Sequence, residues 1–155
     1  MTDLRLSDHF MLSEFEFSST ATRLGINNKM TLDQIQLAAK FCMESLELIR
    51  KFYGKSIHID SGYRCPQLNR VIGGATHSQH QMLKNENVAA DIVIQGITPQ
   101  QIQNDIRAGK IEGLIYDQCI MEGTWLHLSY STVHNRKECL KATFIKGVPH
   151  YEIVT

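Results

Sequence analysis

Residues 117–129 read DQCIMEGTWLHLS, two short apolar runs separated by Glu122-Gly123-Thr124. Apolar runs on either side of a short turn that contains glycine are typical of a β-hairpin. The pattern therefore predicts strands at Asp117–Met121 and Trp125–Ser129. It also places His127 inside the second strand, where a polar group without a partner is costly.

Further strands are predicted on both sides of this hairpin, at Ile57–Asp60, Ala89–Ile94, Ala142–Ile145 and Tyr151–Val154. The longest predicted helix covers Thr31–Tyr53, where Thr31 and Gln34 form a capping-box pattern and Gly54 follows as a stop. Shorter helices are predicted near 11–18, at 66–71 and after Thr98-Pro99. Because the strands cluster in the second half and the longest helix lies in the first, we expect an α+β fold: a small, mostly antiparallel sheet with helices packed on it.

Length and charge narrow the class of protein. A chain of 155 residues is long enough for one core, so we expect residues 1–155 to form a single domain. Lys and Arg number 16, equal to Asp and Glu at 16. Since proteins that bind nucleic acid usually carry a basic excess, we expect no nucleic acid partner.

The N-terminal residues have no apolar core and no small-residue cleavage site of the kind found in secretory signals. No apolar run is long enough for a membrane segment. The four cysteines form no C-x-x-C pair, which favours reduced thiols over a disulfide framework. We therefore expect synthesis in the cytoplasm without a signal peptide.

Three polar residues stand out as candidate metal ligands. Asp91 and His127 each interrupt an apolar strand, and His80 follows a polar stretch after Gly73-Gly74. Two strand residues and one loop histidine can supply the three protein ligands of a catalytic zinc, which leaves a fourth position for water. Taken singly, each residue favours a structural role: His127 that of a hydrogen-bonded core or interface histidine, and Asp91 that of an ion pair to an arginine or a turn cap.

Several short motifs follow one another in order: Ser61-Gly62-Tyr63-Arg64, Leu68-Asn69, Gly73-Gly74, Ser78-Gln79-His80, Ala89-Ala90-Asp91-Ile92 and Trp125-Leu126-His127-Leu128-Ser129. In this order they resemble the zinc D-alanyl-D-alanine carboxypeptidase family, which includes phage endolysin L-alanyl-D-glutamate endopeptidases and vancomycin-resistance dipeptidases. Leu12-Ser13-Glu14-Phe15 and residues 20–26 are similar to its small phage and prophage members. The resemblance implies a Hedgehog/DD-peptidase-like fold.

The resemblance also implies roles for individual residues. His80, Asp91 and His127 would bind one Zn²⁺ per chain. Glu122 matches the carboxylate that activates the attacking water, and Arg64 matches the arginine that faces the substrate and the developing oxyanion. Ser78 and Gln79 match motif positions in the substrate-binding loop. Without the resemblance, Arg64 is better interpreted as an ordinary surface arginine. For Glu122, a solvated hairpin residue stays an equal alternative even with the resemblance.

The sequence departs from the family pattern in two places. Ten residues lie between His80 and Asp91, more than is usual, and we expect Gln81–Glu86 to loop out. Asn87 stands where the family has glycine, and asparagine tolerates the left-handed conformation. Some relatives carry the glutamate three residues before the last ligand histidine, where this chain has Thr124, so the assignment of Glu122 as the base stays open.

The leading functional hypothesis is a zinc metallopeptidase that cuts the peptidoglycan stem peptide, next to D-alanine or at L-alanyl-D-glutamate, in cell-wall lysis or remodelling. Without a signal peptide, such an enzyme would reach the wall after release, with a holin-type delivery partner, or as a virion component; a cytosolic dipeptidase is a further possibility. The alternative is a non-catalytic zinc domain that binds cell wall or forms part of a virion. A third hypothesis is a metal-free interaction domain.

Overall fold

The computed structural model describes residues 2–155. Within them six strands form one sheet: β1 Ile57–Ser61, β2 Asn87–Ile94, β3 Gln118–Glu122, β4 Trp125–Ser131, β5 Glu138–Ile145 and β6 Val148–Ile153. Their spatial order is β1-β2-β4-β3-β5-β6. Together with the helices described below, this sheet confirms the predicted α+β class.

The sheet is mixed, which corrects the expectation of a mostly antiparallel one. The pairs β1–β2, β2–β4, β3–β4 and β5–β6 are antiparallel, but β3 and β5 run parallel. A parallel pair needs a crossover instead of a tight turn. Here β4 and the segment that follows it carry the chain back to the start of β3, so that β5 runs beside β3 in the same direction.

The helices are α1 Leu12–Glu16, α2 Ser19–Leu24, α3 Leu32–Phe41, α4 Glu47–Tyr53, α5 Pro66–Val71 and α6 Pro99–Arg107. A π-helical segment, Cys42–Leu46, joins α3 to α4, so the predicted long helix runs from its Thr31 cap to Gly54. Thr31 and Gln34 form the predicted capping box. Within residues 2–155, no helix has the length and apolar character needed to cross a bilayer.

The core lies between these helices and one face of the sheet. Its fully buried side chains include Phe41, Leu46 and Ile49 from the long helical segment and Ile92, Leu126 and Leu128 from the central strands. Because side chains alternate along a strand, the neighbours Asp91 and His127 lie on the opposite face. That face carries a separate apolar cluster of Ile120, Leu140 and Ala142.

The segment between His80 and β2 differs from its expectation. Two short 3₁₀ turns, Gln79–Gln81 and Leu83–Asn85, fold it against the sheet. Gln81 is buried and Met82 is 1 % exposed within the core, so Gln81–Glu86 does not loop out as a whole. The left-handed residues of this segment include Met82, Lys84 and Asn85, whereas Asn87 begins β2.

Candidate metal centre

Two of the predicted ligands lie side by side on the central strands. Asp91 of β2 is the direct partner of His127 of β4 in the antiparallel ladder. His127 is in turn paired with Ile120 of β3, which is paired with Leu140 of β5. The register of the sheet therefore sets the positions of Asp91 and His127 and places an apolar surface directly beside them.

His80 reaches the same place from the 3₁₀ turn that follows Ser78. Its Nδ1 atom lies 2.7 Å from the backbone oxygen of Gly62. A carbonyl oxygen only accepts hydrogen bonds, so Nδ1 carries the proton and Nε2 of the neutral ring keeps its lone pair. The His80 backbone oxygen also accepts a hydrogen bond from the Arg64 N–H at 3.0 Å. These two contacts fix the ring with Nε2 directed at the other two residues.

The three candidate ligand atoms converge. His80 Nε2 lies 3.2 Å from His127 Nδ1 and 3.3 Å from Asp91 Oδ1. His127 Nδ1 lies 3.1 Å from Asp91 Oδ1. Donor atoms of a tetrahedral zinc site, each about 2.0–2.2 Å from the metal, are about 3.3 Å from one another. The donor set and its spacing therefore fit a zinc ion.

The electrostatics of the group suit a metal. Burial opposes the charge of Asp91, but the imidazoles of His80 and His127 outweigh it and hold the pKa of the carboxyl below its usual value. Burial also lowers the pKa of His80, against the opposing effect of Asp91. The site thus offers an ionised carboxylate and a neutral imidazole, the protonation states in which these groups bind metals.

Arg64 contacts Asp91 through the carboxylate oxygen that does not contact the histidines. Its Nη2 atom donates to Asp91 Oδ2 at 2.9 Å, and its Nε donates to Ser61 Oγ at 2.9 Å. Asp91 therefore presents Oδ1 to the histidines and Oδ2 to the arginine. A cation bonded to the outer oxygen of a ligand carboxylate orients that carboxylate and stabilises its charge.

A cavity of about 270 Å³ opens in front of the metal ligands. Its floor is the sheet, with Ile120, Leu140 and Tyr151, and its wall is the loop that carries Ser78 and Gln79. Glu122, at the end of β3, lines the same cavity as His80 and His127, whereas Thr124 lies in the exposed turn. Of these two positions, 122 lines the cavity and 124 does not.

Glu122 is half-buried, and its Oε2 atom accepts a hydrogen bond from Trp125 Nε1 at 3.1 Å. Burial raises the pKa of Glu122; His127 lowers it and Asp91 raises it further. A carboxyl whose pKa is moved towards neutrality is better matched to the role of proton acceptor and donor than an exposed one.

Ser78 and Gln79, predicted to contact substrate, also have contacts within the protein. Ser78 Oγ accepts from the His80 N–H at 3.3 Å. Gln79 Nε2 donates to Oδ2 of Asp117 at 2.8 Å, and Arg136 forms an ion pair with the same carboxylate. The pairing of Asp117 with Arg136 and Gln79 could not be predicted from the sequence, because ordinary polar and charged residues so far apart in the chain form no local pattern.

The sequence model of a family described as Peptidase M15 matches residues 8–129. The matched segment contains Arg64, His80, Asp91, Glu122 and His127. Strands β5 and β6, which supply Leu140 and Tyr151 to the cavity, lie beyond it. No curated protein and no solved structure matches the chain.

Proposed function

The chain belongs to the peptidase M15 family, and on that premise we propose that it hydrolyses peptide bonds in the peptidoglycan stem peptide. We propose further that it acts as a single domain with one zinc ion bound by His80, Asp91 and His127. Peptidases of this family depend on zinc. The observation that carries the proposal is the buried His-Asp-His group, whose donor atoms are spaced as in a tetrahedral zinc site and whose two histidines line an open cavity.

His80, Asp91 and His127 would hold the zinc ion, which would supply a Lewis acid for the scissile carbonyl and lower the pKa of the attacking water. Glu122, on the same cavity, accepts the proton of the attacking water and passes it to the leaving amine. Arg64 orients Asp91 through its hydrogen bond to Oδ2 and stabilises the charge of the carboxylate; its contact with the substrate and the oxyanion stays a prediction from the resemblance. Ser78 and Gln79 form the wall along which the peptide lies.

The shape of the cavity supports a small stem-peptide substrate. Ile120 and Leu140 form an apolar floor next to His127, and this floor suits a short side chain such as the methyl group of alanine. The resemblance to D-alanyl-D-alanine carboxypeptidases and L-alanyl-D-glutamate endopeptidases favours a bond next to alanine. We propose a phage or prophage type of enzyme that acts on the wall after release or as a virion component; a holin-type delivery partner stays a prediction.

The test is digestion of purified peptidoglycan from several wall types by the zinc-loaded protein. We expect new amine termini, and mass spectrometry of the products separates release of free D-alanine from cleavage inside the stem. Glu122→Gln should retain zinc and lose the activity. If the zinc-loaded protein adheres to peptidoglycan but releases no amine from any wall type, the non-catalytic zinc domain replaces the enzyme as the explanation.

A further inference from the structure

Asp117 is a buried carboxylate at which three parts of the chain meet. It is 2 % exposed and immediately precedes β3. Its Oδ1 atom accepts hydrogen bonds from the backbone N–H and the Nε of Arg136, both at 2.9 Å. Its Oδ2 atom accepts from Arg136 Nη2 at 2.6 Å and from Gln79 Nε2 at 2.8 Å. Asp117 therefore joins the start of β3, the segment before β5 and the loop beside the metal centre.

The third of these contacts reaches a metal ligand. Gln79 immediately precedes His80 in the 3₁₀ turn. On one side, His80 is held through Gly62 and Arg64, as described above. On the other side, the hydrogen bond from Gln79 to Asp117 attaches the same turn to the sheet. The ligand supplied by a loop is thus bound on both flanks, and Asp117 provides the second attachment.

We propose that Asp117, oriented by Arg136, is a positioning residue that holds His80 in its metal-binding place through Gln79 and so sets the affinity for zinc. The proposal rests on the proposed function, because it takes His80 to be a zinc ligand. Its physical basis is preorganisation: a loop ligand that is already ordered loses less conformational entropy when the metal binds.

The ion pair with Arg136 explains why Asp117 suits this role. A buried carboxylate is stable when it is paired and its oxygens accept hydrogen bonds, and both conditions are met here. Arg136 donates from Nε to Oδ1 and from Nη2 to Oδ2, and these two hydrogen bonds fix the plane of the carboxylate. The remaining acceptor position on Oδ2 is then directed at Gln79.

The first test compares two glutamine variants by their zinc dissociation constants, measured in competition with a chelating dye. Gln79→Met keeps the size of the side chain and removes the donor to Asp117. We expect it to bind Zn²⁺ about tenfold more weakly, since loss of a partner outside the ligand set typically costs 10- to 100-fold in metal affinity. The matched control is Gln103→Met, because Gln103 is also buried but donates from α6 to the backbone oxygens of Cys119 and Leu140 and not to the turn that carries His80. This control should lower the melting temperature and leave zinc affinity unchanged.

The second test reverses the hydrogen bond. Gln79→Glu places a carboxylate against Asp117 and should weaken zinc binding more than Gln79→Met does. Adding Asp117→Asn removes the like charge and supplies an amide donor to the new carboxylate, although Arg136 Nη2 then loses its acceptor on Oδ2. The double variant should therefore recover part of the lost affinity. The d–d absorption of bound Co²⁺ reports the ligand geometry directly, and it should be perturbed in the single variant and closer to that of the wild type in the double variant.

The outcomes separate this inference from the proposed function. Wild-type zinc affinity in Gln79→Met, or a double variant no better than Gln79→Glu alone, overturns the positioning role and leaves the peptidase proposal intact. A wild-type protein that binds zinc but cleaves no peptidoglycan overturns the proposed activity, while the affinity series still decides the role of Asp117. A wild-type protein that binds no zinc overturns both.

Discussion

His127 lies directly opposite Asp91 in the β2–β4 ladder, and its Nδ1 atom is 3.1 Å from Asp91 Oδ1. Because strand side chains alternate between the two faces, a register slip of one residue would move one of the pair into the core. Two members of the ligand set are therefore fixed by backbone hydrogen bonds of the sheet. Only His80 depends on a loop.

Removal of either sheet ligand should abolish stoichiometric zinc. We expect His127→Ala and Asp91→Asn to lose most bound metal, because each leaves two protein ligands in a site that needs three. Elemental analysis of the purified variants measures the occupancy. His134→Ala, at an exposed histidine in the segment after β4, is the control and should retain one zinc per chain. Full occupancy in either ligand variant would show that the assignment of these ligands is wrong.

The role of Glu122 has a kinetic signature. Glu122→Gln keeps the shape of the side chain and the acceptor for Trp125, but it removes the proton acceptor. We expect kcat to fall by about 10²- to 10⁴-fold while zinc content is unchanged. Glu152→Gln, at an exposed position of β6, should keep wild-type turnover. Loss of zinc in Glu122→Gln would point to a structural role for this carboxylate.

Patterns of neighbouring residues predicted those helices and strands whose formation depends on neighbouring residues. The helix at Pro66–Val71 and the strands of the β3–β4 hairpin follow from a proline at the first helical position and a short glycine turn. Asp91 and His127 stood out because polar groups in apolar strands need partners, whereas His80, in a polar loop, was assigned mainly through the family resemblance; the structure brings all three together.

Relations between distant segments could not be predicted in this way. The parallel pairing of β3 with β5 depends on strand order, which no residue in either strand encodes. The partner of His80 Nδ1 is the backbone oxygen of Gly62. Since every residue has a backbone oxygen, the sequence does not indicate which of them accepts this hydrogen bond. Met82 sits among polar residues, yet it is buried because the 3₁₀ turns direct its side chain into the core.

Gly62 packs closely against Phe15, and its backbone oxygen contacts the candidate ligand His80. A Cβ atom at this position would lie 2.7 Å from Phe15 Cα and 2.8 Å from Phe15 O, so the end of β1 would have to move. We expect Gly62→Ala to cost about 1–3 kcal/mol in the free energy of unfolding, as overpacking does. It should also weaken zinc binding, since the Gly62 oxygen orients His80. Urea denaturation and zinc titration measure the two effects.

Gly54→Ala is the matched control for this prediction. Gly54 ends α4 with a φ of +61°, and a Cβ there meets open space. The substitution should destabilise the protein by about 1–2 kcal/mol through backbone strain alone. Zinc affinity should not change. Equal loss of affinity in both variants would mean that global stability, and not the Gly62 contact, governs the metal site.

Because of Asp117, the free energy of unfolding should depend on pH in the acidic range. Burial opposes ionisation of this carboxyl, but hydrogen bonds from Arg136 and Gln79 outweigh it, so its pKa in the folded protein lies below the usual value. Because the pKa of Asp117 is lower in the folded protein, its ionised form stabilises the fold at pH values above its unfolded pKa of about 3.9. This contribution to the free energy of unfolding is lost as the pH falls from there through the folded pKa.

We expect the wild type to be more stable than Asp117→Asn at pH 7 and to lose that advantage below about pH 4. Urea unfolding with a chelator present measures the difference without any contribution from bound metal. Because both proteins share Asp91, an advantage that stays constant down to low pH would show that Asp117 acts through packing and not through its charge.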